Sequence, residues 1–138
     1  MQQKVLVVDD EPDVIELLGF NLRAAGYWVE TATTGLQALN KARYILPDII
    51  ILDLLLPELD GTAVCEILRV LPSTATIPIL MLTACSSTEA KAIAVQAGVN
   101  DFITKPFSPA DLTARVGRAL EMRAALSHSD GEAESALP

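Results

Sequence analysis

Four short apolar runs in this sequence each lead into residues able to do chemistry. Val5-Leu6-Val7-Val8 runs into Asp9-Asp10, and Ile49-Ile50-Ile51-Leu52 into Asp53. Ile79-Leu80-Met81-Leu82 runs into Thr83, and Phe102-Ile103-Thr104 into Lys105-Pro106. If the runs are neighbouring strands, three carboxylates, a hydroxyl and an amine gather at one edge of a sheet. Carboxylates about 4 Å apart repel by roughly 4 kcal/mol at an effective dielectric of 20, so such a pocket calls for a compensating cation. A hard divalent ion, Mg²⁺ or Mn²⁺, suits oxygen ligands. A carboxylate beside that ion and an ammonium is suited to attack phosphorus and form an acyl phosphate. Lys105 would offset charge on the phosphoryl oxygens, and the Thr83 hydroxyl would hydrogen-bond one of them.

Taken singly, the same residues have ordinary explanations. Asp9-Asp10 suits a helix N-terminus, where acids are favoured by the helix dipole. Thr83 alone could cap a strand end, and Lys105 alone could be a solvated surface lysine. Asp53 is harder to dismiss, because an unpaired carboxylate flanked by apolar residues is costly to bury. The joint placement at successive strand ends carries the argument. No Walker-type glycine loop is present, so the phosphoryl group must come from a donor other than a nucleotide held by such a loop.

The elements that must position these residues are legible in the pattern of the chain. Apolar runs at 5–8, 28–32, 49–53, 79–82 and 102–104 alternate with segments of helical period, the pattern of a parallel sheet flanked by helices. The first helix follows Asp10, with Pro12 in its first turn, a stripe of Val14, Leu17, Leu18, Leu22 and Ala25, and Gly26 at its end. The second runs from about Thr34 to Tyr44, the third follows Gly61, and the fourth starts near Ser87 and stops at Gly98. The fifth has Ser108 as N-cap, Pro109 at its first position, and Leu112, Val116, Ala119 and Leu120 on one face. The expected fold is therefore α/β, a doubly wound five-stranded parallel sheet of the flavodoxin-like type, order 2-1-3-4-5, with five helices. Working groups in such sheets lie beyond the C-terminal ends of the strands. After Leu126 no apolar face recurs, so residues 1–126 are expected to form the domain and 127–138 a disordered tail or the start of a linker.

Bulk properties exclude other classes. The 138 residues are enough for one domain, and a hydrophobic fraction of 51% is too high for a disordered chain. A net charge of -8 would be repelled by phosphate backbones, so this segment is not expected to bind nucleic acid. No run of about 20 uncharged apolar residues appears, and the start shows no signal peptide, so the expectation is a soluble cytoplasmic chain without a membrane span. Cys65 and Cys85 lack metal-site spacing and are expected to be free thiols.

The segments Val5-Leu6-Val7-Val8-Asp9-Asp10-Glu11, Asp53-Leu54-Leu55-Leu56-Pro57-Glu58-Leu59-Asp60-Gly61, Met81-Leu82-Thr83-Ala84 and Asp101-Phe102-Ile103-Thr104-Lys105-Pro106-Phe107 together resemble the receiver domains of two-component response regulators. They stand in the family's order across residues 4 to about 122. The resemblance implies that Asp53 is the phosphoacceptor, supplied by a sensor histidine kinase or phosphotransfer protein. It implies that Asp10, Asp53 and the backbone carbonyl of Leu55 bind Mg²⁺ directly and that Asp9 acts mainly through water. Thr83 and Lys105 would hold the phosphoryl oxygens, and a cis peptide is expected at Lys105-Pro106. Signalling in the family moves the threonine toward the phosphoryl group and turns an aromatic side chain inward, here Thr83 and Phe102. The lifetime-tuning positions are Leu55 and Cys85, neither suited to orient an attacking water, so slow decay is expected.

Receivers of the winged-helix transcription-factor subfamily dimerise through the fourth helix, fifth strand and fifth helix. Lys91 with Asp111 and Asp101 with Arg115 would be the charge pairs; Gln96 and Gly117 stand where an acid and a base are usual. By this reading the chain is not an enzyme beyond its own phosphoryl transfer and slow dephosphorylation. Two other readings compete. A phosphohydrolase of the haloacid dehalogenase type would place its nucleophile after the first strand in an Asp-x-Asp pattern, where this chain has Asp9-Asp10-Glu11-Pro12-Asp13. A degenerate receiver serving only as an interaction module would not be expected to fill every acceptor, metal and switch position.

Overall fold

The structure is a computed structural model that describes the backbone of residues 2–135 and the side chains of residues 2–126. Five strands, β1 (Lys4–Val8), β2 (Trp28–Ala32), β3 (Ile49–Leu52), β4 (Ile79–Thr83) and β5 (Asp101–Thr104), alternate with α1 (Pro12–Ala24), α2 (Gly35–Ile45), α3 (Gly61–Val70), α4 (Thr88–Ala97) and α5 (Pro109–Ser135). The strands form one parallel sheet in the order β2-β1-β3-β4-β5. This is the doubly wound, flavodoxin-like α/β fold expected from the alternation of elements.

Alternate residues of the central strands feed two cores. Leu6, Val8, Ile50, Leu52, Ile79 and Met81 pack with α2, α3 and α4 through Ala38, Ala42, Val64, Leu68 and Ala94. Val5, Val7, Ile49, Ile51, Leu80 and Leu82 pack on α1 and α5 through Leu18, Leu22, Leu112 and Val116. A strand covered on both faces needs apolar side chains at every position, which is why β3 reads Ile-Ile-Ile-Leu. Each fully buried Leu or Ile contributes on the order of 2 kcal/mol by leaving water, so the sheet is held rigidly behind the residues at its edge.

Helix starts follow local chemistry. Thr34, Asp60 and Ser87 are N-caps whose side chains accept from Gln37, Ala63 and Ala90 N–H, and the Ser108 hydroxyl accepts from Asp111 N–H. Gly26 and Gly98 follow α1 and α4 at φ 98 and 107, a region glycine enters without steric cost. The α2 C-cap is Leu46 at φ 52, a left-handed residue that composition does not announce. Four strand limits differ from the expectation by one residue: β1 begins at Lys4 and β5 at Asp101, β3 stops at Leu52 and leaves Asp53 in the loop, and β4 includes Thr83.

The larger difference is at the end of the chain. Residues 127–138 are expected to form a disordered tail or the start of a linker, and within them α5 runs as helix to Ser135. An apolar face decides whether a helix packs, but a nucleated helix gains one hydrogen bond for each residue it adds. Glu132, Ala133 and Glu134 also have good helix propensity. Residues 136–138 lie outside the described residues. No helix among the described residues is long and apolar enough to cross a membrane. Both cysteines are free, Cys65 buried and Cys85 partly so.

Candidate functional site

The ladder of the sheet runs one residue past the strands and fixes three of the chemistry-bearing residues. Asp9 N–H donates to Ala32 O at 3.1 Å, Asp53 N–H to Val8 O at 3.0 Å, and Lys105 N–H to Thr83 O at 2.9 Å. Because β1 lies between β2 and β3, these bonds bring Asp9 and Asp53 to adjacent strand ends.

The same local turn then orients three side chains. The Asp9 carboxylate accepts from Glu11 N–H at 2.9 Å, the Asp53 carboxylate from Leu55 N–H at 3.1 Å, and the Thr83 hydroxyl from Cys85 N–H at 3.3 Å. In each case a side-chain oxygen bonds the backbone two residues on, the Asx or Ser/Thr turn. Asp53 thus has its Oδ1 on a backbone donor and its Oδ2 turned into the pocket.

Lys105 closes the constellation. Its Nζ lies 2.8 Å from Asp9 Oδ2, 2.9 Å from Glu11 Oε1 and 3.0 Å from Asp53 Oδ2. The lysine follows β5 at a cis Lys105-Pro106 bond. Burial alone would favour its neutral form, but the carboxylates of Asp9, Glu11 and Asp53 outweigh that and hold the ammonium well above its ordinary range. Burial raises the Asp9 carboxyl above its usual value, only partly offset by Lys105.

Asp10 completes a group of three acids whose ligand oxygens lie within 4.8 Å of one another, with Asp9 and Asp53. It is exposed and, among the described residues, in no ion pair. A set of three hard oxygen donors with one of them uncommitted suits a divalent cation such as Mg²⁺.

The structure therefore brings Asp9, Asp10, Asp53 and Lys105 into one cluster. Thr83 is fully buried at the end of β4, bonded to Cys85 N–H, and no hydrogen bond joins it to the carboxylates. Leu55 stands two residues past Asp53 with its side chain 60% exposed. Phe102 is half-buried against the α2–α4 side of the sheet, and Lys91 Nζ lies 5.8 Å from its ring centroid. The proposed dimer residues are engaged within the chain: Arg115 bonds Asp101 at 3.1 Å and Asp111 at 3.2 Å.

Sequence reasoning quoted Glu11 in the first motif but gave it no role. A signal was present. Glu11 is the N-cap of α1, where Ser, Thr, Asp or Asn is preferred, and its side chain caps nothing.

Residues 5–117 match the family described as response regulator receiver domain. The chain is 47% identical over 116 residues to the alkaline phosphatase synthesis transcriptional regulatory protein PhoP of Bacillus subtilis, covering 84% of this chain and 48% of that protein. It is 40% identical over 116 residues to the DNA-binding response regulator MtrA of Mycolicibacterium smegmatis, covering 84% and 50%. The chain thus spans about half the length of these relatives. Among solved structures it is similar to the Vibrio cholerae chemotaxis protein CheY4, with a TM-score of 0.82 and 35% identity over 86% of this chain and 99% of the other.

Proposed function

We propose that in this chain, which belongs to the response regulator receiver domain family, Asp53 is the residue that accepts the phosphoryl group. A receiver domain of a two-component system takes that group from a histidine kinase and controls an output by carrying it. The observation behind the assignment is the ion pair of Asp53 Oδ2 with Lys105 Nζ at 3.0 Å, in a pocket shared with Asp9 and Asp10.

In the transfer, an Asp53 oxygen attacks the phosphorus of a phosphohistidine. The new O–P bond forms as the P–N bond breaks, and the imidazole nitrogen leaves with the electron pair and takes a proton. Lys105 offsets charge on the phosphoryl oxygens, and Thr83 supplies a hydroxyl to one of them. Asp10, Asp53, Asp9 and the Leu55 carbonyl would hold Mg²⁺, which when bound supplies positive charge against the phosphoryl oxygens. Thr83 and Phe102 form the switch, Thr83 moving from its bond with Cys85 N–H toward the phosphoryl group. Leu55 and Cys85 offer no group that orients an attacking water, so the acyl phosphate decays slowly.

The relatives are named as transcriptional and DNA-binding regulators and are about twice as long. We read this chain as the receiver of a cytoplasmic regulator of that kind, with residues beyond 126 leading toward an output domain. Homodimerisation through α4, β5 and α5 would exchange the internal Arg115 pairs for pairs between copies. Exposed pairs are worth only about 0.2–1 kcal/mol each, so a dimer needs apolar contact as well.

The test is incubation with phosphoramidate and Mg²⁺, followed by intact mass. Wild type should gain one phosphoryl group and Asp53→Asn none. An unlabelled wild type, or equal labelling of both, overturns the assignment.

A further inference from the structure

An ammonium has three N–H donors and no acceptor. At Lys105 the ammonium donates to Glu11 Oε1 at 2.9 Å and Asp53 Oδ2 at 3.0 Å, and Asp9 Oδ2 lies in ion-pair contact at 2.8 Å. A phosphoryl group on Asp53 takes over the donor that Asp53 Oδ2 held, and for Lys105 to give it a second one the Asp9 or the Glu11 contact must be released. They are not equal. The side chains of Asp9 and Asp53 are 2% and 5% exposed, whereas Glu11 is 58% exposed. A buried carboxylate that loses its partner is left unsolvated, while an exposed one is rehydrated at once. Glu11 is the partner whose loss costs least.

The placement of Glu11 supports the same reading. It sits at the N-cap of α1, but its carboxylate makes no cap hydrogen bond and instead reaches a lysine 94 residues away. Its own N–H is held by Asp9 Oδ1, so the residue is fixed to the site at its backbone and free to let go at its tip.

We propose that Glu11 is a positioning residue that occupies a donor of Lys105 in the resting site and yields it when a phosphoryl group arrives on Asp53. The inference rests on the assignment of Asp53 as acceptor. It makes Glu11 a competitor of the phosphoryl group, so removing it should tighten the site toward a phosphoryl analogue.

The test is binding of beryllofluoride in the presence of Mg²⁺, followed by ¹⁹F NMR, on wild type, Glu11→Ala, Glu11→Gln and Asp13→Asn. Asp13 lies in the first turn of α1 and makes no ion pair among the described residues, so it reports the effect of charge alone. Glu11→Ala should bind about two- to fivefold more tightly, the range of an exposed ion pair. Glu11→Gln, which keeps a neutral acceptor, should fall between, and Asp13→Asn should match wild type. Unchanged or weaker binding by Glu11→Ala overturns the proposal, as does an equal gain from Asp13→Asn. Failure of wild type to bind removes the Asp53 assignment and the proposal with it, a result distinct from wild-type binding with no Glu11 effect.

Discussion

Gly61→Ala should damage the acceptor site through the backbone rather than through any side chain of the site. Gly61 opens α3, and its N–H donates to Leu54 O at 2.8 Å, closing the loop that carries Asp53. A Cβ there would lie 2.1 Å from the Asp53 carbonyl oxygen and 2.8 Å from Leu54 Cα. Real Cβ atoms stay beyond 3.0 Å of such neighbours, so α3 and the Asp53 backbone must separate by close to an ångström. The blocking atoms are main chain and cannot swing aside. Overpacking of this kind costs roughly 1–3 kcal/mol, and alanine returns up to about 1 kcal/mol in helix propensity, leaving a net loss near 1 kcal/mol. For a domain of this size that is a fall in Tm of roughly 3–5 °C.

The larger effect should be on rate. A displacement of about 1 Å in a reacting group can cost on the order of a hundredfold, so Gly61→Ala should label from phosphoramidate some ten- to a hundredfold more slowly. Initial rates by intact mass at 25 °C, beside thermal melts, measure both terms. Gly26→Ala is the matched control. Gly26 has φ 98 and nothing within 4 Å of a built Cβ, so alanine there strains the backbone by about 1–2 kcal/mol without approaching Asp53. Gly26→Ala should lose stability and keep its rate. If Gly61→Ala labels within twofold of wild type, the steric reasoning is wrong.

Three further outcomes are expected. Arg69 donates to the carbonyls of Gly98, Ala75 and Ile77 and to Asn100 Oδ1, joining α3 to the ends of α4 and β4; Arg69→Ala should cost about 2–4 kcal/mol, read as a lower urea midpoint at unchanged m. Burial raises the Asp9 carboxyl, so the folded state binds that proton more tightly than the unfolded chain and stability falls as pH climbs from the ordinary aspartate value through the raised one. Metal-free Asp9→Asn should therefore melt higher than wild type at neutral pH, with the gap closing in acid; a lower melt at neutral pH would refute the sign. Burial also raises the Cys65 thiol, keeping it protonated, whereas Cys85 is partly exposed. Iodoacetamide should add one adduct to the folded protein, and Cys65 should react on the order of a thousandfold more slowly until denaturant is added.

What the sequence disclosed and what it hid divide along the range of the forces involved. Strand period, the hydroxyl caps at Thr34, Ser87 and Ser108, and the glycines at 26 and 98 act within a few residues, so they can be read locally. Asp9, Asp10, Asp53, Thr83 and Lys105 are legible for a related reason, because a doubly wound sheet puts successive strand ends side by side. The Glu11–Lys105 pair spans 94 residues and the Arg69–Gly98 bonds 29, and no periodicity marks either. Leu46 is left-handed at the end of α2 without the glycine that would advertise it. The extension of α5 past residue 126 carries no apolar stripe, because such a stripe reports packing, not helicity.

The charge count at the strand ends ties these observations to function. Asp9, Asp10, Glu11 and Asp53 set four carboxylates against the single ammonium of Lys105. Fully ionised, the group is three negative charges in excess, and a phosphoryl group on Asp53 adds more. Part of that excess is already resisted, since burial pushes Asp9 toward its protonated form. Lys105 cannot absorb the rest while its ammonium is held by Asp9, Glu11 and Asp53. Two adjustments remain within the residues at hand. Asp10, exposed and unpaired among the described residues, is where a hard cation can be gripped at little desolvation cost. Glu11, the exposed partner of Lys105, is the acid that can withdraw into water and take its charge with it. Under the proposed assignment, a resting site this negative would make phosphorylation of Asp53 depend on a cation at Asp10 and on release of Glu11 from Lys105.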